Sequence, residues 1–339
     1  MPWNRARLTG AAVGTAALAG LARRYAAGVA RADRSSLLTV ETRLRDLGEV
    51  DELTVLPLVE RLTPEGSSLI GEPGVSYLIR AGNTRLLFDS GLSGWKAESA
   101  LSHNARHLGV DLADLDAVVI SHLHPDHVGG PRSVLRRTFA FAKDGLEPRG
   151  VPAYVPTEMT HPRADVMPTT APLVVAPGVA VLPPMGRMLF WLGYIEEQAL
   201  VVNVRGFGLV VISGCGHPQI ERVLGLAERV LDVPIRAVVG GLHLPVHALG
   251  TSLVPQAVLG NPHPPWQPIS ERDVEYVLEE IDARGPALVA LSSHDSTPWT
   301  YEAFTRRFGD RYRTMHAGDE LRIDARVASY AAGEVAPEY

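Results

Sequence analysis

The sequence predicts an α/β fold, and three observations carry that expectation. Leu115 to Ile120 is an unbroken apolar, β-branched run with the character of a buried strand. From Ala199 to Leu291 the order strand, loop, helix occurs twice, as in a sheet covered by helices. Between residues 132 and 197 a succession of prolines from Pro148 to Pro184 leaves room for short strand-like pieces and none for long helices.

In chain order, each element follows from local chemistry. After a polar connection, Ser76-Tyr77-Leu78-Ile79 and Arg85-Leu86-Leu87-Phe88 flank the turn-rich Ala81-Gly82-Asn83-Thr84, which predicts a hairpin. Glu98 to Leu108 is compatible with a helix. Met185, Met188, Phe190, Trp191 and Tyr194 form an apolar, aromatic cluster, read as packing over the core, with a pocket lining or a membrane-facing lip as alternatives. Ala199 to Val204 and Leu209 to Ser213 are strands joined by Arg205-Gly206-Phe207-Gly208, and Ile220, Val223, Leu224 and Ala227 then recur at helical spacing. Ala237 to Val239 is a further strand. Ser270 with Asp273 reads as a capping box for a helix that carries Val274, Val277, Leu278 and Ile281 on one face, and Ala287 to Leu291 is the next strand. The proline-rich stretch from Pro245 to Pro268 is expected as a loop at the mouth of a site.

With 339 residues, 46% of them hydrophobic, the chain can bury a full core; one domain over 50–330 is expected, with loop insertions near 132–197 and 245–268. A formal charge of −6 supplies no basic field for a phosphate backbone, so the expected partner is a small molecule and not nucleic acid. Cys215 is the only cysteine, which rules out an intramolecular disulfide. Residues 1–40 read as a signal-like or anchor helix: Arg5 and Arg7 precede the uncharged Leu8 to Ala22, Arg23 and Arg24 follow, and Ala30-Arg31-Ala32 has the form of a cleavage site. That stretch is shorter than the ~20 apolar residues that span a bilayer. Export or membrane association through the N-terminus therefore stands level with a cytoplasmic chain whose first helix packs on the domain.

The strongest chemical signal is Ser121-His122-Leu123-His124-Pro125-Asp126-His127-Val128-Gly129-Gly130, which begins where the buried run ends. Neutral imidazoles and a carboxylate suit zinc and related transition metals. In extended chain His122 and His124 point the same way, while the turn at Pro125 redirects Asp126 and His127, so the spacing suggests two adjacent ions. His217 and His294 also follow apolar strands, where loops converge on a common rim.

His-x-His-x-Asp-His after an apolar strand, with Asp89 closing an earlier one, resembles the metallo-β-lactamase superfamily over most of residues 70 to 325. Phe88-Asp89-Ser90-Gly91, His103-Asn104, Leu108-Gly109-Val110-Asp111-Leu112, Ser213-Gly214-Cys215-Gly216-His217-Pro218, Gly240-Gly241-Leu242-His243-Leu244 and Ser293-His294-Asp295 make it similar to the branch of the dihydropterin-ribofuranosylaminobenzene-phosphate synthases. The resemblance implies a four-layer αββα sandwich with loops at one edge of two sheets holding two zinc ions, or manganese or iron in their stead. It implies His122 and His124 on the first metal, Asp126 and His127 on the second, and His217 and His294 as the remaining side-chain ligands. Asp126 is then also the catalytic residue that steers the nucleophile, Asp89 orients a ligand imidazole, and His243 touches substrate. Many superfamily members carry a bridging aspartate where this chain has Gly214-Cys215-Gly216, so Cys215 stands as a thiolate ligand, a residue behind the ligands or plain packing. The expected activity is metal-assisted hydrolysis of an ester, lactone or phosphate-containing small molecule. The alternatives are a synthase acting on a phosphorylated pterin-type substrate and a non-catalytic metal- or ligand-binding protein.

Overall fold

A computed structural model describes residues 19–35, 43–142 and 150–327 of the chain. Most of the anchor-like stretch at 8–22 lies outside them; residues 19–35 form a helix, α1.

Two seven-stranded sheets face each other. The first runs in the order β16 (Leu321–Asp324), β1 (Glu52–Val59), β2 (Ser76–Ala81), β3 (Thr84–Phe88), β4 (Ala117–Val119), β5 (Pro152–Val155) and β6 (Asp165–Pro168). The second runs β15 (Tyr312–Thr314), β14 (Leu288–Leu291), β13 (Ile235–Gly240), β12 (Gly208–Ser213), β11 (Leu200–Val204), β8 (Val179–Val181) and β7 (Leu173–Ala176). A separate hairpin pairs β9 (Met185–Leu189) with β10 (Gly193–Glu197).

Alternation along the strands builds the layers. On β12, Val210 and Ile212 enter the core between the sheets, while Leu209 and Val211 face outward beneath α4 (Ile220–Val230), α6 (Glu271–Asp282) and α7 (Pro298–Phe308). On β3, Leu86 and Phe88 point inward, and Leu87 packs outward with Leu101 and Ala105 of α2 (Ala100–His107). Three apolar cores between four layers follow: helices, sheet, sheet, helices. The αββα architecture is thus the one that the sequence resemblance implies.

The capping box is present, with Ser270 accepting from the Asp273 backbone and Asp273 reaching back to the Ser270 N–H. Three strands, β1, β15 and β16, are absent from the sequence reading. β1 lies in the stretch that reads as a polar connection, and Pro57 within Leu53 to Val59 hides it, because a proline normally marks an edge or a break. Here the register with β2 shifts between Pro57 and Val59, which accommodates the missing N–H inside the sheet. The segment 132–197 supplies β5 to β10 as well as α3 (Pro131–Arg136), and 245–268 carries the short α5 (Val254–Leu259).

Substitution should separate core from cap. Phe304→Ala in the outer core should cost about 3–5 kcal/mol, and Ser270→Ala about 1 kcal/mol, read from the midpoints of urea unfolding.

Candidate metal centre

The site lies beyond the carboxyl ends of strands drawn from both sheets. β3, β4 and β5 are parallel, as are β12, β13, β14 and β15, and each parallel set ends at the same rim. Asp89 follows β3, Ser121 and His122 follow β4, Cys215 and His217 follow β12, His243 follows β13, and Ser292 and His294 follow β14. Glu60 follows β1.

Seven side chains close on one another. Nε2 of His122 lies 3.1 Å from Nδ1 of His124, which lies 3.2 Å from Nε2 of His217. Ligand atoms of Asp126, His127, Cys215 and His294 form a second group within 4.8 Å, and those of His122, Cys215 and His217 another. Cys215 Sγ stands 3.1 Å from Nε2 of both His127 and His294, so the thiol sits where the two nitrogen sets meet. Its burial is nearly complete. Gly214 beside it has a physical reason, since a Cβ there would collide with Ser121 Oγ.

The orientation of the rings is fixed from behind. His127 Nδ1 meets Asp89 Oδ2 at 2.7 Å. Ser121 donates its hydroxyl to the same oxygen at 2.6 Å, which leaves Ser121 Oγ to accept from His122 Nδ1 at 2.9 Å. Ser292 likewise donates to Glu60 at 2.6 Å and accepts from His294 Nδ1 at 2.6 Å. For His122 and His294 this places the proton on Nδ1 and turns the Nε2 lone pair to the centre, while Asp89 holds His127 in the same orientation. Asp89 holds φ 61, a backbone region that non-glycine residues rarely occupy, in order to reach this position.

Two carboxylates behind the site are not evident from the motifs. Glu197 accepts from the backbone N–H groups of Cys215, Gly216 and His217 at 2.8–2.9 Å and clamps that loop. Glu60 accepts from Tyr77, Ser292 and Ser293. Each is a lone acid at or near a strand end, which is too common a pattern to select from sequence. Asp295 holds the His243 backbone N–H at 2.8 Å and stands 3.6 Å from Nε2 of His294.

Electrostatics follow from burial. It pulls the imidazoles of His122, His124, His217 and His294 well below the usual range, helped by neighbouring histidines. Burial acts the same way on His127, but Asp126 and Asp89 outweigh it and raise that imidazole to about 9. Burial and the surrounding carboxylates push the Cys215 thiol up. The donor set fits a cation: neutral imidazole nitrogens converge to about 3 Å in a buried site beside a carboxylate and a thiol, the ligand types that zinc and related ions take.

His243 joins the rim with its ring 4.8 Å from that of His217. Among the described residues of the same wall, neither of its ring nitrogens nor Gln256 Oε1 has a hydrogen-bond partner.

The family model for the metallo-beta-lactamase superfamily matches residues 69–140. The 7,8-dihydropterin-6-methyl-4-(beta-D-ribofuranosyl)-aminobenzene-5'-phosphate synthase of Methanocaldococcus jannaschii is 23% identical over 243 residues, 59% of this chain and 81% of that protein. N-acyl homoserine lactonase AiiB of Agrobacterium fabrum is 33% identical over 110 residues, 25% of this chain and 40% of the lactonase. The crystal structure of a metal-dependent hydrolase of the beta-lactamase superfamily covers 80% of this chain and 99% of its own, with a TM-score of 0.56 and 22% identity. The histidine-rich motif lies inside the segment, 69–140, that matches the metallo-beta-lactamase superfamily model, and the four layers are those of the metallo-β-lactamase fold.

Proposed function

We propose that the chain is a metal-dependent hydrolase that opens a lactone or ester carrying an apolar chain. One observation carries this reading. The cavity over the centre, about 340 Å³, has His124, Asp126, Cys215 and His217 on its floor and Pro73, Leu92, Leu192, Pro255 and Leu259 on its walls, with no Lys or Arg among the described residues that line it. A phosphorylated substrate calls for such a cation. Arg80 pairs with Glu320 at the surface, and Arg132 lines a separate depression beside Trp95. A relative named as an N-acyl homoserine lactonase supports the lactone over the phosphate ester.

His122, His124 and His217 would hold one ion, and Asp126, His127 and His294 the other, with Cys215 as a thiolate between them. A bound divalent ion would polarise the carbonyl and acidify a water. Asp126, the acid of the cluster that borders the cavity, is positioned to hold a proton at its carboxylate. Neutral His243 and Gln256 offer hydrogen bonds to the polar head of the substrate, because an apolar wall with two unsatisfied polar groups favours a ligand that satisfies them.

A second reading has one feature in its favour. Arg187 lines a recess on the other side of His217 and His243, held by Gln219 at 2.6 Å, and would serve a phosphorylated substrate of the kind named for the synthase relative.

His122→Ala or Asp126→Ala should lower metal content and lactone turnover together, turnover by about a hundredfold or more; activity retained in a metal-depleted variant would remove the mechanism. Cobalt substitution should give a thiolate-to-metal absorption that Cys215→Ser abolishes, whereas an unchanged spectrum assigns Cys215 to packing. Against a panel of long- and short-chain lactones, esters and phosphate esters, Arg187→Gln should leave lactone turnover unchanged. Phosphate-ester turnover that disappears with Arg187→Gln, and no lactone turnover in the parent, would favour the synthase-like substrate.

A further inference from the structure

Two uncharged stretches meet on one side of the cavity mouth, and a third precedes them in the sequence. Residues 188–195 at the tip of the β9–β10 hairpin, and residues 248–270 around α5, contain no Asp, Glu, Lys or Arg. The third is Leu8 to Ala22, which runs in sequence into α1. α1 docks on the 248–270 segment, where Tyr25 donates to the Pro262 carbonyl at 2.7 Å, and on the hairpin, where Arg31 stacks over Tyr194 and Ser35 Oγ accepts from the Gly186 N–H at 2.9 Å. The exposed Arg24 guanidinium lies beside Gly193 at the hairpin tip.

The rings on this side are continuous. Phe190 has Tyr25 at 5.7 Å, Trp191 at 4.9 Å and Trp266 at 6.2 Å, centroid to centroid. Trp191 is 50% exposed and Trp266 is 76% exposed, and Leu192 and Leu259, which also line the cavity, are nearly half exposed. Soluble surfaces rarely gather large apolar side chains without a partner. Tryptophan and tyrosine, apolar in body and polar at the edge, are the residues that settle at a headgroup boundary, and the exposed Arg23 and Arg24, which precede Tyr25 on α1, suit anionic headgroups. A second copy of the chain fits less well, because the hairpin tip and the 248–270 segment hold no acid to meet those arginines.

We propose that this face docks on an anionic lipid surface, with α1 and the hairpin tip as its footing and the cavity mouth at the interface. An acyl chain would then pass from the lipid over Leu192 and Leu259 towards the metal centre; that last step rests on the lactone or ester reading, and the docking does not.

The test uses the full-length protein with vesicles of phosphatidylcholine alone and of phosphatidylcholine mixed with phosphatidylglycerol, followed by sedimentation and tryptophan emission. The protein should sediment with the anionic vesicles and its emission should shift to the blue. Trp191→Glu with Trp266→Glu should lower binding about tenfold or more at unchanged metal content, and Arg23→Glu with Arg24→Glu should remove the preference for phosphatidylglycerol. The proposal is overturned if the parent protein stays in the supernatant with both vesicles, or if the tryptophan double variant binds as the parent does. It also falls if ultracentrifugation reveals a dimer that the tryptophan variant dissociates, since a second copy is then the occupant. No turnover enters the measurement, so its failure and that of the hydrolase reading are told apart.

Discussion

The centre depends on which nitrogen of each imidazole carries the proton. A histidine free to rotate or change tautomer satisfies itself with the nearest donor, and a set of such residues collapses into a hydrogen-bonded cluster. Here Asp89 acts directly on His127 and through Ser121 on His122, and Glu60 acts through Ser292 on His294. The lone pairs are thereby committed inward, and the hydrogen bonds available behind the rings are already used. Burying those carboxylates is unfavourable, as the rise of Glu60 to about 7 indicates, with desolvation as its first cause. Several donors per acid offset that cost. Removing one donor would leave a buried acceptor unsatisfied, at about 1–3 kcal/mol.

The fold makes such a rear layer available because both sheets end at one rim. Carboxylates at the ends of β1 and β3 reach ligands that follow β4 and β14, so orientation is imposed by strands distant in sequence from the residues they orient. Glu197, at the end of β10, does the same for the loop after β12 by taking three consecutive N–H groups. The hairpin therefore has two roles: one end fixes the Cys215 to His217 loop, and its tip carries Trp191 and Leu192 at the cavity mouth.

This division explains what could be read from residues alone. The His122 to His127 cluster is local: four chemically distinctive groups lie within six positions after an apolar run. The β2–β3 hairpin and the Ser270 capping box are equally local, since turn and cap chemistry lies within a few residues. Glu60, Glu197 and Gln256 were not legible, because a single polar residue gains meaning only from what tertiary packing brings to it. β1 was lost to a proline rule that holds for regular ladders and gives way at a bulge. Asp89 and His243 were visible through family resemblance, whereas their left-handed backbone angles, φ 61 and 50, belong to the folded chain.

Cys215 gives the centre its particular character. A thiol in this setting is pushed towards its protonated form, because burial and neighbouring acids oppose its charge. The two nitrogen sets then share a single donor atom whose ionisation depends on a cation arriving. Under the proposed ligation, an ion held by either set would favour the thiolate, and that charge would draw an ion to the other, so occupancy of the two positions is coupled through one sulfur. The flanking glycines follow from the same demand. Sγ can lie 3.1 Å from both His127 and His294 only if the backbone passes close behind it, where a side chain at Gly214 would strike Ser121 and where Gly216 turns at φ 67.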